Sequence, residues 1–304
     1  MAVRSEYREE PCKSALNRIK GMGSGFSWSL NPYMGCAHRC TFCYVRGFEL
    51  RADRPWDDRY GTSIRVKTNV VEVLRAELGR RSWKRETVTI GAATDPYQPA
   101  EGRYHLTRRC IEVLAAARTP ISIITRGPLI VRDIDVLAAA AGRAPVRVSF
   151  SVPTLDRELW RTTEPGTAPP HQRLRALERL VRAGIEAGVS LAPILPGLSD
   201  RPEQLEAVVR AARDAGATHL WCGALQLKPG TREHFLERLA QDWPGLVPRY
   251  EQLYGGVYLA RHDAASIYEM VSGLQERYGL TDRRASPPLP PALEGPRQLA
   301  LFGS

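Results

Sequence analysis

The sequence predicts an α/β fold, a partial (β/α)6 barrel followed by a C-terminal helical cap and a Pro-rich tail. Between residues 26 and 230, short β-branched runs alternate with amphipathic stretches about six times. Such units in series favour a parallel sheet with helices packed outside it. Short right-handed connections curl the sheet toward a barrel, and six units are fewer than the eight of a closed barrel.

The first predicted strand begins near Phe26 and ends just before a group of cysteines. The later strands are β-branched runs bounded by Gly, Pro and polar residues, as is typical of buried parallel strands. The predicted strands are 26–30, 87–92, 121–125, 146–152, 189–194 and 219–225, with 63–67 extending or flanking the first.

Helices are predicted where apolar residues recur with helical periodicity. Those between the strands are 70–78, 106–117, 134–141, 171–187 and 202–215. Beyond Pro229 the alternation stops, and further helices are expected at 231–239, 247–253 and 264–278.

Composition divides the chain into four segments. A flexible N-terminal segment, 1–25, precedes a core at 26–230 and a helical cap at 231–284. From residue 285 the sequence turns to Pro and small residues, which predicts a mobile tail over 285–304.

Charge and cysteine content limit the class of protein. The 304 residues are 43% hydrophobic, which is enough for a full core, and the first ten residues are too charged for a signal peptide. With no apolar run of about 18 residues, we expect a cytoplasmic protein without a membrane segment. The net charge of +10 suits a polyanionic partner such as DNA or RNA, although an Arg-rich composition with no nucleic-acid role gives the same value.

Three of the six cysteines, Cys36, Cys40 and Cys43, have the spacing C-x3-C-x2-C directly after the first predicted strand. Thiolates this close together indicate a metal site in a reducing compartment. A cluster of four irons would keep one iron free of protein. A zinc site is the alternative; it normally needs four ligands, and His38 within the loop is the available fourth.

Polar residues follow the later strands, at the edge of the sheet where catalytic residues of barrels collect. Their positions predict that they belong to the site at the mouth of the barrel. The residues singled out are Asp95, Glu101, Arg126, Ser149 and Ser151.

The cysteine spacing, with aromatic Phe42 before the third cysteine, resembles the radical S-adenosylmethionine (SAM) superfamily, whose core is a partial TIM-like barrel. The resemblance implies that Cys36, Cys40 and Cys43 ligate a [4Fe–4S] cluster and that SAM chelates the fourth iron. One electron from a donor such as flavodoxin or ferredoxin would then cleave SAM to a 5′-deoxyadenosyl radical. That radical would abstract hydrogen from the substrate.

Within the superfamily, residues 26–230 resemble the spore photoproduct lyase subgroup. The resemblance rests on these stretches in order: Cys40-Thr41-Phe42-Cys43-Tyr44, Thr94-Asp95, Thr125-Arg126, Ser149-Phe150-Ser151, Glu164-Pro165-Gly166, Arg173-Leu174 and Ala192-Pro193-Ile194. Two departures matter: Ala93 stands where the lyase has its hydrogen-donor cysteine, and Phe42 replaces a tyrosine. The resemblance therefore supports SAM cleavage better than repair of a thymine dimer.

The same resemblance implies roles for the strand-end residues. Arg126 could pair with the SAM carboxylate, since a guanidinium forks onto two oxygens; the alternative is a surface arginine. Ser149 and Ser151, on one face of a strand, could reach the ribose or methionine end, or could simply line the core.

Asp95 and Glu101 could accept from the SAM ammonium, although Asp before Pro also forms loops. Tyr44 could line the adenine or the radical path. Cys222 could replace the missing thiol donor, or could be a buried small apolar residue.

The last residues resemble the Gln-Leu-x-Leu-Phe peptide by which bacterial polymerases and repair proteins dock on the replicative sliding clamp. The matching positions are Gln298, Leu299, Leu301 and Phe302. A Pro-rich tether ending in apolar anchors suits groove binding, and folding back onto the protein body is the alternative.

Two classes of function follow. The first is a radical SAM enzyme acting on nucleic acid, as in lyase-like DNA repair. The second is a radical SAM enzyme acting on a small molecule or peptide, or an iron–sulfur protein that does not use SAM.

Overall fold

The computed structural model describes residues 5–19 and 26–282. Its strands, numbered in chain order, are β1 Glu6–Glu10, β2 Leu16–Arg18, β3 Trp28–Leu30, β4 Tyr33–Met34, β5 Ser63–Lys67, β6 Val88–Ile90, β7 Ile121–Thr125, β8 Val146–Ser151, β9 Glu186–Ile194, β10 His219–Ala224 and β11 Thr281–Asp282. Its α-helices are α1 Arg46–Arg51, α2 Val70–Leu78, α3 Pro99–Tyr104, α4 Leu106–Ala116, α5 Ile134–Ala141, α6 Arg157–Thr163, α7 Pro170–Arg182, α8 Pro202–Asp214, α9 Thr231–Asp242, α10 Val247–Leu253 and α11 Arg261–Tyr278.

The main sheet has eight strands in the order β11-β10-β9-β8-β7-β6-β3-β2. Strands β3 and β6 to β10 are the six parallel strands that the alternating pattern predicts, and each pairs with the next along the chain. The predicted partial (β/α)6 barrel is therefore confirmed. The sheet is open, since β11 and β2 end it on opposite sides.

The apolar core lies on one face of these strands, the face against which the helices pack. Val148 and Phe150 on β8 and Leu191 on β9 are fully buried, as are Leu177 and Leu180 on α7. The alternate residues of β8, Ser149 and Ser151, are buried polar side chains on the other face, so this strand alternates apolar and polar residues.

Helix α7 ends at Arg182, five residues before the predicted end, and β9 begins at Glu186. Gly184 has a φ of +77°, a left-handed conformation that stops the helix. The apolar residues Ile185 and Ala187 continue the helical periodicity by coincidence, and the structure uses them in the approach to β9 and within it.

The N-terminal segment differs from the prediction of a flexible stretch. Strand β1 pairs in parallel with β5, and β2 pairs antiparallel with β3. The Glu77 carboxylate accepts the backbone N–H of Leu16 at 2.9 Å. This backbone pairing, which composition does not reveal, orders residues that look like a polar leader. Residues 20–25 lie outside the described residues.

Strand β5 joins β1 and β4 in a separate three-stranded sheet beside the barrel. The three predicted C-terminal helices are present as α9, α10 and α11. The Tyr254 hydroxyl donates to the Leu225 carbonyl at 3.1 Å, and Gln275 Nε2 donates to the Leu220 carbonyl at 2.9 Å. These bonds attach the helices to the last barrel strand, and the division of the chain into a core and a cap stays a prediction.

The Pro-rich tail and the C-terminal peptide, 285–304, fall outside the described residues. Across the described part of the chain, no helix is both long and apolar enough to cross a membrane.

Candidate active site

A cavity of about 640 Å³ opens at the carboxyl ends of the barrel strands. All three motif cysteines line it, together with residues in or directly after β6, β7, β8, β9 and β10. Of the predicted binding residues, it brings together Tyr44, Asp95, Arg126 and Ser151. Parallel strands end at the same edge, so residues far apart in sequence meet there.

The cysteine loop is folded tightly. The N–H of Arg39 donates to the Cys36 carbonyl at 3.3 Å, and that of Cys43 donates to the Cys40 carbonyl at 3.2 Å. Cys36 and Cys40 are buried, whereas Cys43 is partly exposed. Gly61, with a φ of +79°, packs where a Cβ would collide with the Cys36 carbonyl oxygen.

Two neighbouring segments hold this loop in place. The Thr41 N–H donates to the Thr163 carbonyl at 2.9 Å, and the Gly166 N–H donates to the His38 carbonyl at 3.0 Å. Gln98 accepts the Ala37 N–H at 2.9 Å. The loop is therefore positioned before any ligand binds, by backbone contacts from the end of α6 and the loop after it and by the Gln98 side chain.

Burial raises the pKa of the Cys40 thiol to about 12, and burial likewise raises the pKa of the Cys36 thiol. Without a bound cation these thiols stay protonated. A metal that binds thiolate would displace the protons and offset the cost of burying the charge.

Within residues 5–19 and 26–282, no three His, Cys, Asp or Glu side chains form a group that could hold a metal ion. A four-iron cluster binds each thiolate through a different iron, so its ligands stand farther apart than those of one ion. Three cysteines around one cavity fit the cluster and do not fit a tetrahedral zinc site.

Asp95 connects the cysteine loop to the barrel. Its carboxylate accepts the Thr125 hydroxyl at 2.7 Å and the Arg126 N–H at 2.6 Å, and Oδ2 lies 3.2 Å from His38 Nδ1. Burial raises the pKa of Asp95, but His38 and these hydrogen bonds outweigh burial and bring it to about 2. Asp95 is therefore an anion whose oxygens already have partners, which makes it a positioning residue for the loop.

Arg126 lines the cavity but already has a protein partner. Its Nε donates to Glu164 at 2.6 Å, and Arg173 bonds the same carboxylate at 3.1 Å. The guanidinium also lies 5.6 Å from the Phe42 ring centroid. Burial lowers the pKa of Arg126, but the nearby Cys40 and Glu164 raise it by more. The net effect is a raised pKa. The side chain is a fixed cation beside the cysteines and not a surface arginine.

Tyr44 and Ser151 also face the cavity. Tyr44 is 40% exposed, and its hydroxyl donates to the Ala92 carbonyl. Lys228 Nζ lies 5.6 Å from the Tyr44 ring centroid. Ser151 is buried at the end of β8.

Glu101 does not belong to the cavity. It is fully buried at the start of α3, where it accepts the Tyr33 hydroxyl at 2.5 Å and the Thr107 N–H at 2.8 Å and pairs with Arg132 at 2.8 Å. The structure does not support the suggested contact with the SAM ammonium, because Glu101 lies on helix α3, outside the cavity lining.

Ser149 and Cys222 also lie outside the cavity lining. Ser149 Oγ lies 3.0 Å from His219 Nε2, one step deeper in the barrel, and it does not line the cavity. Trp221 and Gly223 line the cavity, so the alternation of β10 turns Cys222 to the other face, where it packs against the core. The position of Cys222 therefore favours the alternative reading, a small apolar residue packed against the core.

Sequence reasoning missed several residues of the site. Gln98 and Tyr60 contact the cysteine loop, and Trp221 and Tyr268 line the cavity. The only sequence signal for Trp221 was its place on the last predicted strand. Tyr268 lies on the C-terminal helix α11, and no local sequence pattern indicates that this helix contacts the barrel.

Comparison with known proteins assigns the chain to a family. Residues 30–217 match the family model of the radical SAM superfamily. The chain belongs to the radical SAM superfamily. It is therefore an enzyme of that superfamily, which implies a [4Fe–4S] cluster and SAM as cofactors.

Relatives of this radical SAM chain include an uncharacterized protein of Mycobacterium tuberculosis, 41% identical over 299 residues, 97% of this chain and 88% of the relative. A radical SAM Nalpha-GlyT isomerase of Pseudomonas phage M6 is 31% identical over 177 residues, 55% of this chain and 33% of that protein.

Among solved structures, a spore photoproduct lyase mutant with bound AdoMet and dinucleoside spore photoproduct has a TM-score of 0.67. The match covers 90% of this chain and 79% of that chain at 16% identity. At this identity the likeness shows a shared fold.

Proposed function

We propose that this radical SAM enzyme holds a [4Fe–4S] cluster on Cys36, Cys40 and Cys43 and abstracts a hydrogen atom from a nucleic-acid substrate. The observation that carries the proposal is the shared cavity: the three motif cysteines and the strand-end residues line it together in a chain of this superfamily. The bound cofactors supply the electron transfer and the cleavage of SAM.

The chain's own residues bind and orient SAM. Arg126 supplies a fixed positive charge for the SAM carboxylate. A guanidinium has five N–H donors, of which Glu164 takes the one on Nε at 2.6 Å and the Ala192 carbonyl takes one on Nη2 at 3.4 Å, so donors remain for a ligand. Ser151 offers a hydroxyl at the end of β8, and Tyr44 offers a ring at the mouth. Asp95 acts indirectly, by fixing His38 and the Arg126 backbone.

Nucleic acid is supported as the substrate class by charge and by the cavity mouth. The chain carries +10, and Lys228 stands beside the aromatic rings of Tyr44 and Phe48. Rings that stack on a base next to a cation for phosphate are a common way to hold single nucleotides. The phage relative is named as an Nalpha-GlyT isomerase, and the lyase structure holds a dinucleoside.

The chemistry after hydrogen abstraction differs from that of the lyase in this proposal. Ala93 stands at the position of the donor cysteine, and Cys222 faces away from the cavity. We therefore propose a nucleic-acid reaction, within DNA repair or base modification, that returns hydrogen without a thiol at these two positions.

The decisive experiment is SAM cleavage under anaerobic conditions with reconstituted protein and dithionite. We expect 5′-deoxyadenosine, formed faster when DNA carrying candidate lesions or modified thymines is added. Absence of 5′-deoxyadenosine would reject the SAM chemistry and leave an iron–sulfur protein. Formation that ignores every nucleic acid but responds to a small molecule or peptide would reject the substrate class.

The ligand assignment has its own test. Cys36→Ala, Cys40→Ala and Cys43→Ala should each abolish the absorption near about 400 nm that thiolate-bound iron gives. Cys222→Ala is the matched control and should keep the colour, since Cys222 does not line the cavity. Full colour in any of the three variants would overturn the assignment.

Partners follow from the same proposal. The electron comes from a small donor such as flavodoxin or ferredoxin, and DNA is the polyanion. Gln298, Leu299, Leu301 and Phe302 are proposed to dock on a bacterial sliding clamp, which would bring the enzyme to replicating DNA.

A further inference from the structure

Arg46, at the start of α1, is a buried cation without a carboxylate partner among the residues that the structure describes. It is 1% exposed, and its Nη1 donates to the carbonyls of Trp56 at 2.5 Å and Asp57 at 2.6 Å. Its Nε has no hydrogen-bond partner in the described structure. Buried charges are normally paired, because removing an ion from water costs roughly several kcal/mol. The position therefore requires a negative charge nearby.

Tyr60 connects this cation to the cysteine loop. The guanidinium lies over the Tyr60 ring, 4.7 Å from its centroid, and Tyr60 Oη lies 3.7 Å from Cys43 Sγ. Tyr60 is 1% exposed and packs with Cys36 and Val45. When Cys43 is a thiolate, the tyrosine hydroxyl can only donate to it.

A second arginine adds positive charge beside Tyr60. Arg39 donates from its Nε to the Tyr60 carbonyl at 3.1 Å. Nδ1 of His234 lies 3.8 Å from Oδ1 of Asp58, and the Asp58 side chain is largely exposed to water. Burial lowers the pKa of Arg46, while Cys43 and Tyr60 raise it. The Asp57 carboxylate pairs with Arg59, and the Cys43 sulfur is connected to the guanidinium through Tyr60.

We propose that Arg46 and Tyr60 set the reduction potential of the cluster, with Arg46 as its counter-charge and Tyr60 as a hydrogen-bond donor to the Cys43 sulfur. The inference rests on the proposed function in so far as a cluster is bound. Reduction adds one negative charge to the cluster. A nearby cation and a hydrogen bond to sulfur stabilise that charge, which raises the potential.

The test is a potentiometric titration of the reconstituted protein, followed by the electron paramagnetic resonance signal of the reduced cluster. Tyr60→Phe keeps the ring under Arg46 and removes only the hydroxyl, so it should lower the reduced fraction at a fixed potential severalfold. Arg46→Gln should lower the ratio of reduced to oxidised cluster by about tenfold, about 59 mV for one electron. Arg46→Lys, which keeps the charge, should recover most of the loss.

Tyr250→Phe is the matched control, because Tyr250 is a fully buried tyrosine of α10 that does not line the cavity. Its midpoint potential should equal that of the native protein. A native potential in Tyr60→Phe at full iron content would overturn the role of the hydroxyl even if Arg46→Gln failed to fold. A native protein that takes up no iron would overturn the proposed function and this inference with it, whereas iron bound at an unaltered potential would overturn the inference alone.

Discussion

His234 on α9 is a buried histidine beside a buried cation. It is 4% exposed, and burial together with Arg46 lowers the pKa of His234 to about 4. In the unfolded chain a histidine has its ordinary pKa of about 6.5. Between these two values the unfolded chain binds a proton that the folded protein excludes.

The folded protein should therefore lose stability as the pH falls from about 6.5 toward about 4. The expected loss from His234 is about 2 to 3 kcal/mol, and the contribution is fully present above the upper value. Urea unfolding at several pH values measures it. His234→Phe should flatten this part of the curve, while His262→Gln, at an exposed position, should not; equal slopes in all three proteins would contradict the assignment.

At the scale of elements, the loop after α6 packs against the cysteine loop. The Gly166 N–H donates to the His38 carbonyl at 3.0 Å, and a Cβ on Gly166 would lie 2.9 Å from His38 Cα and collide with the Ala37 carbonyl. Glu164, two residues earlier, pairs with Arg126 and Arg173. This loop therefore positions both the cysteines and the cationic wall of the cavity.

Gly166→Ala should displace the cysteine loop, because backbone atoms on the other side cannot yield as a flexible side chain would. We expect a loss of about 1 to 3 kcal/mol in unfolding free energy and fewer iron atoms per chain after reconstitution. Urea unfolding and an iron assay measure the two effects. Gly245→Ala is the control, since a Cβ there meets nothing within 4 Å. Normal iron uptake in Gly166→Ala would show that the contact is dispensable.

At the scale of the whole molecule, the proposed role on DNA rests on charge and on the C-terminal peptide. The net charge of +10 predicts DNA binding that weakens as salt rises. The peptide at 298–302 would add a second attachment through the sliding clamp. The two attachments are separable, since one is electrostatic and the other depends on apolar anchors.

Leu301→Ala/Phe302→Ala should abolish capture of the protein by immobilised sliding clamp and leave DNA binding unchanged. The apolar anchors carry the energy of such peptides, so their loss removes most of the affinity. Leu289→Ala, in the same tail but outside the peptide, is the control. Capture that survives the double substitution would place the contact elsewhere on the protein.

The sequence by itself determined the barrel and the cysteine motif. Both are local patterns: strand and helix periodicity extends over a few turns, and Cys36, Cys40 and Cys43 lie within eight residues. It could not separate Asp95 from Glu101, although both follow the same strand. Asp95 precedes the short helix α3 and lies at the cavity, whereas Glu101 is part of that helix and is buried away from the cavity.

Only the tertiary structure decided which distant residues meet. The contacts of Asp95 with His38, of Gly166 with the cysteine loop, and of Tyr60 with Cys43 join residues brought together by strand register and loop packing. The phase of β10 likewise turned Cys222 away from the cavity and Trp221 into it. The alternation of side chains along a strand is local and can be read from a sequence. Which of the two faces points inward is set by pairing with the neighbouring strands.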